Sequence, residues 1–75
     1  MTTHDLDATG LLCPLPVLKL RKRLKNLQPG EHVIMRADDP AAIVDVPHFC
    51  AETGNILIET SDEGAVQVYL VRKGL

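Results

Sequence analysis

Hydrophobic and polar positions alternate with two different periods along this chain, and the switches between them mark six elements. His4-Asp5-Leu6-Asp7-Ala8 alternates, which predicts a first strand with Leu6 and Ala8 facing inward. Thr9-Gly10 ends it, the glycine permitting a positive φ in a tight connection to Leu11, Leu12 and Cys13. From Pro14 to about Leu27 the period becomes helical, with Val17, Leu20, Leu24 and Leu27 on one face, the expected core side. Leu15 and Leu18 point away from that stripe. Asn26 to Gly30 stops the helix, Pro29-Gly30 being a turn signal. Glu31 to Ala37 alternates again, with Val33, Met35 and Ala37 on one side and His32, Ile34 and Arg36 on the other.

Asp38-Asp39-Pro40 opens a second helix, with Asp39 expected as N-cap and Pro40 as first helical residue. It runs to about Glu52 and carries Ala42, Ile43, Val46, Phe49 and Cys50 at largely helical spacings. Pro47 removes one intrahelical bond and is expected to bend or split it. Thr53-Gly54-Asn55 closes the helix on a glycine. Ile56 to Thr60 then suits a third strand, Ser61-Asp62-Glu63-Gly64 a hairpin turn, and Ala65 to Lys73 a fourth strand. Strand, helix, strand at the start favours a right-handed crossover with the first two strands parallel. With two helices on one side, the opposite sheet face is expected to be partly exposed.

Composition narrows the setting. At 75 residues the chain suits one domain, residues 1–75, and with no Trp, one Phe and one Tyr its core must be built from Leu, Ile, Val and Ala. Two cysteines do not make the disulfide framework of a small secreted scaffold, so both are read as reduced thiols. Met1-Thr2-Thr3-His4-Asp5 shows no basic region followed by an apolar run, and no apolar stretch approaches membrane-spanning length. A cytoplasmic protein is expected. The net charge of −2 hides an asymmetry: five of the eight basic residues, Lys19, Arg21, Lys22, Arg23 and Lys25, crowd into the first helix. Such a run is either a solvated face or a docking surface for an acidic partner.

The candidate chemistry centres on Leu12-Cys13-Pro14-Leu15-Pro16. Pro14 is expected at the first helical position and Cys13 at the N-cap, where unpaired N–H groups and the helix dipole favour thiolate. Cysteine is a poor structural cap, so sulfur chemistry explains it better. If the first two strands are parallel, both strand-to-helix junctions share one sheet edge, bringing Asp38, Asp39 and Arg36 toward Cys13. Carboxylates oppose the thiolate and an arginine favours it, so sequence leaves the net direction open. Leu15 and Leu18, edged by Lys19 and Lys22, either fold back over the loop as first-turn side chains or offer an apolar patch beside the thiol on which a partner can rest. Cys50, beside Val46 and Phe49, reads as packing.

Other chemistries lack their residues. His48 and Cys50 stand two apart and face different helix sides, so no metal site is expected. His4 and His32 have no neighbouring nucleophile to serve. No glycine-rich phosphate loop is present, and nucleic-acid stacking would need aromatics that are nearly missing.

The segments LDATGLLCPLP at 6–16, QPGE at 28–31, ADDP at 37–40, DVPHFC at 45–50 and YLVRKG near the end resemble the TusA-type sulfur carriers, also called the SirA-like family, over nearly the full length. ADDP and the P-x-F-C segment place the chain nearer the tRNA-thiolation carriers. The resemblance implies an α+β, two-layer β-α-β-α-β-β fold with a mixed four-stranded sheet and both helices on one face. It implies that Cys13 accepts sulfane sulfur as a persulfide from a cysteine desulfurase, to which the pyridoxal phosphate belongs, the carrier needing no cofactor. Pro14 and Pro16 would hold the cysteine, and Asp7 and Gly10 would shape its loop, with Asp38, Asp39 and Pro40 alongside. Leu15, Leu18, Lys19 and Lys22 would dock donor and acceptor, the latter a DsrE-like relay protein serving 2-thiouridine synthesis. Dissimilatory sulfur oxidation or another sulfur pathway is the alternative of the same chemistry. A regulatory binding module without sulfur turnover is the alternative of another class, and direct RNA binding is weaker still.

Overall fold

A computed structural model of the chain describes residues 2–75. Met1, part of the N-terminal segment discussed above, lies outside the described residues. The elements run β1 (Thr3–Ala8), α1 (Leu15–Lys25), β2 (His32–Ala37), α2 (Ala42–Thr53), β3 (Ile56–Glu63) and β4 (Val66–Arg72). They form one four-stranded mixed sheet of order β1-β2-β4-β3. β1 and β2 are parallel with Leu6 opposite Met35 and Ala8 opposite Ala37, while β4 lies antiparallel to both β2 and β3.

Alternation decides which sheet face is covered. Leu6, Ala8, Val33, Met35, Ala37, Tyr69 and Val71 share the buried face and join Leu20 and Leu24 of α1 and Ala42, Val46, Phe49 and Cys50 of α2 in one core. Burying a leucine such as Leu20 is worth about 1.5–3 kcal/mol. On the other face Ile34, Val68 and Leu70 remain half-buried, and Arg36 reaches Asp5 at 3.7 Å and Glu63 at 3.8 Å. Arg36 therefore lies on the side away from the helices, because its neighbours Met35 and Ala37 take the core side.

Several local expectations shift. Pro14, not Cys13, is the N-cap of α1, and Leu15 is its first helical residue. The cause is a turn in which the Leu12 carbonyl accepts the Leu15 N–H at 2.8 Å. The N-cap of α2 is Ala41 rather than Asp39, and Pro40 sits in the preceding turn. Asp39 still satisfies an N-terminal donor, its Oδ1 accepting the Ala41 N–H at 3.2 Å and its carbonyl the Ala42 N–H at 3.0 Å. α2 runs through Pro47 without splitting. Ile43 lies exposed beside a groove it lines with Pro47, Leu57 and Tyr69.

The third strand is longer than its apolar run suggests. Ser61, Asp62 and Glu63 pair with Val68, Gln67 and Val66, leaving a two-residue turn of Gly64 and Ala65. Gly64 supplies the positive φ (69°) that such a hairpin needs at its first position. Leu57 pairs with Val71 and Glu59 with Leu70, so Ile58 is an extra residue that reverses the facing of the strand beyond it.

Candidate site at the thiol between the two helices

Parallel pairing of β1 and β2 ends both strands at one sheet edge, and the two loops leaving that edge build the site. The Asp7 Oδ1 accepts the Thr9 N–H at 2.9 Å and its hydroxyl at 2.6 Å, which starts the first loop. These bonds, the hydroxyl first, lower the Asp7 carboxyl below its ordinary value. Gly10, with φ 80°, donates its N–H to Asp38 Oδ1 at 2.9 Å. Cys13 donates its N–H to Asp39 Oδ2 at 2.6 Å. The two aspartates thus hold the cysteine loop by its backbone, as carboxylates hold unpaired N–H groups at helix starts.

The thiol itself turns toward α2. Cys13 Sγ donates to Oδ2 of Asp45, in the first turn of α2, at 3.0 Å. That hydrogen bond is the main reason the Cys13 thiol is raised above its ordinary value, with partial desolvation and the charges of Asp45 and Asp39 adding to it. The balance left open by sequence tilts, in this geometry, toward the thiol. The two features that would have favoured the thiolate are displaced: Cys13 precedes the N-cap, and Arg36 pairs with Asp5 and Glu63 on the opposite face of the sheet. The Cys13–Pro14 peptide bond is cis.

Cys13 is exposed and opens into a groove of about 240 Å³ that it lines with Pro14, Val17, Arg21, Asp45, His48, Phe49 and Glu52. Arg21 stacks over the Phe49 ring at 5.2 Å, a cation–π arrangement. His48 Nε2 meets Glu52 Oε1 at 3.0 Å. The sequence reading assigned no role to Asp45 or Glu52, took Arg21 only as part of the basic run, and weighed His48 only as a metal ligand. The signal was present: Asp45, His48, Phe49 and Glu52 form one helical stripe, and Pro14, Val17 and Arg21 form another.

The remaining expected residues scatter around this groove. Pro16 is buried, while Pro14 lines the groove. Pro40 does not line the groove; it sits in the turn before α2, its carbonyl accepting the Ile43 N–H at 3.1 Å. Leu12, Leu15 and Leu18 are exposed. Leu18 lies with Lys22 on the outer side of α1, near Arg21 and Lys25. Lys19 is instead engaged, its Nζ donating to the Asp7 carbonyl. Cys50 is 2% exposed, and burial pushes its thiol up to about 11. Among the described residues no three His, Cys, Asp or Glu side chains cluster to hold a metal ion, and no helix is long and apolar enough to cross a membrane.

Residues 4–73 match the model of the sulfurtransferase TusA family. The chain belongs to that family. Its fold is similar to the crystal structure of a SirA-like protein from Desulfitobacterium hafniense, with a TM-score of 0.80 and 25% identity over 100% of both chains. Membership makes sulfur transfer the chemistry of this chain.

Proposed function

We propose that Cys13 is the carrier thiol: it accepts sulfane sulfur from a pyridoxal-phosphate cysteine desulfurase, holds it as a persulfide, and passes it to a DsrE-like relay protein for tRNA 2-thiouridine synthesis in the cytoplasm. The observation that carries this reading is the contrast between the two sulfurs. Cys13 stands exposed in a groove at the sheet edge, whereas Cys50 is sealed in the core. A shuttle needs one reachable thiol, on a loop held in place by its backbone contacts.

The chemistry asks little else of the chain. Sγ, as thiolate, attacks the outer sulfur of the donor's persulfide; the new Sγ–S bond forms as the donor's S–S bond breaks, and the donor cysteine leaves as thiolate. Sulfane sulfur changes hands with no net oxidation. In this reading Asp38 and Asp39, with Asp7, Gly10, Pro14 and Pro16, fix the loop. The exposed Leu15 and Leu18 with Lys22 give donor and acceptor a surface on which to rest in turn, and the basic run of α1 speeds encounter.

Intact-protein mass spectrometry after incubation with a cysteine desulfurase and cysteine tests the assignment. A reducible gain of one sulfur atom is expected in the wild type and in Cys50→Ser, and none in Cys13→Ser. Retained gain in Cys13→Ser would overturn the site. Loss of 2-thiouridine from the tRNA of cells lacking the protein, restored by the wild type but not by Cys13→Ser, tests the pathway.

A further inference from the structure

The groove beside Cys13 has an unbalanced charge. Facing the thiol are Asp45, His48 and Glu52 from α2, Arg21 from α1, and Asp39 from the loop between β2 and α2. Most of these groups are committed: Glu52 to His48, Arg21 to the Phe49 ring, and Asp39 to the N–H groups of Cys13 and Ala41. Asp45 differs. Among the described residues it has no ion pair, and its side chain's hydrogen-bond donor is the Cys13 thiol at 3.0 Å.

A carboxylate can hold that position only while Sγ carries its hydrogen. An ionised Sγ would face Oδ2 with like charges at contact distance, so the contact and the nucleophile exclude each other. Transfer nevertheless needs the nucleophile. A cationic group placed on Asp45 would remove both obstacles, because it engages the carboxylate and adds positive potential at the sulfur.

We infer that Asp45 is a gate for sulfur transfer: in the free protein its carboxylate holds the Cys13 thiol hydrogen, and a lysine or arginine of the donor protein, entering the groove, takes over that carboxylate and releases the sulfur. The step balances. As the contact breaks, the thiol proton passes to solvent; Sγ attacks the donor's outer sulfur; the departing donor thiolate takes up a proton. The sum is one persulfide and one thiol exchanged for one thiol and one persulfide, with no oxidant required. The free carrier is thereby kept slow toward stray electrophiles and becomes reactive against a partner of matching charge. The inference rests on Cys13 being the acceptor.

The gate is read without a sulfur donor, by following iodoacetamide alkylation of Cys13 across pH 6–10 in the wild type, Asp45→Asn and Asp45→Lys. Removing a neighbouring charge typically moves a thiol by about one pH unit, so at neutral pH the rate should rise roughly tenfold in Asp45→Asn, and further in Asp45→Lys, which builds the cation into the groove. An unchanged midpoint in Asp45→Asn overturns the gate, and that variant suffices if Asp45→Lys does not fold. Sulfur acceptance from a cysteine desulfurase gives the second arm. Asp45→Lys should accept sulfur more slowly than the wild type despite its faster alkylation, since it repels the donor's cation. Faster acceptance overturns the cationic donor group. Acceptance retained by Cys13→Ser would instead sink the carrier reading and leave the alkylation series standing.

Discussion

Asp39 Oδ2 accepts the Cys13 N–H at 2.6 Å, joining two loops that lie 26 residues apart in the chain. The other oxygen of the same carboxylate accepts the Ala41 N–H, so one side chain fixes the cysteine loop and the start of α2 together. Replacing Asp39 with Ala leaves both donors to solvent and should lower stability by about 1–2 kcal/mol, as for a lost helix cap. Asp39→Asn keeps one acceptor oxygen and should cost less. Urea midpoints rank the three proteins. Sulfur acceptance should fall in the same order, because the loop that presents the thiol loosens.

The two thiols should separate by access. With Cys50 at 2% exposure and its thiol near 11, native protein at pH 7.5 should take one alkyl group, on Cys13, and urea-unfolded protein two. Cys50→Ala deletes one buried sulfur and should cost about 1 kcal/mol while leaving sulfur acceptance intact. Peptide mapping of the alkylated native protein checks the first point, and an early label on Cys50 would contradict it.

The fold was legible because its signals are local. The alternation of Val33, Met35 and Ala37, the helical stripe through Leu20 and Leu24, and the breaks at Gly10, Gly30 and Gly54 each act within a few residues. Cys13 was legible for the same reason, since two prolines mark the loop. Asp45 was not, because its partner lies 32 residues away and only the parallel register of β1 and β2 brings them together. The cap of α1 shifted because one tertiary bond and one local turn act together. Once Asp39 takes the Cys13 N–H and the Leu12 carbonyl takes the Leu15 N–H, the cysteine is held outside α1. The polar end of β3 was missed because pairing with β4, not side-chain character, keeps Ser61 to Glu63 in the sheet.

Lys19 and Lys22 are three residues apart on one helix yet should answer differently to charge reversal. Lys19 holds the Asp7 carbonyl at the end of β1, so Lys19→Glu should lower the urea midpoint as well as sulfur acceptance. Lys22 lies on α1 beside Leu18 and makes no ion pair or side-chain hydrogen bond among the described residues, so Lys22→Glu should leave the midpoint within about 0.5 kcal/mol of wild type. Its effect should fall on the association rate with the donor, largest at low salt. Equal stability losses in the two variants would contradict the distinction.

Asp7 links the cysteine loop to pH. Its carboxyl is lowered from the ordinary 3.8 by the Thr9 hydroxyl and N–H, so the folded protein binds this proton less readily than the unfolded chain does. A lowered folded value contributes stability that is complete above the unfolded value and is lost as pH falls through the folded one. Asp7→Asn removes that contribution at every pH. The gap in urea midpoint between wild type and Asp7→Asn should therefore be constant from pH 7 to about pH 5, narrow below pH 4, and close as the folded carboxyl itself is protonated. Urea titrations at half-unit steps from pH 6 to 2 measure it. A gap that widened in acid would mean that Asp7 is held as the neutral acid, contrary to the two hydrogen bonds it accepts from Thr9.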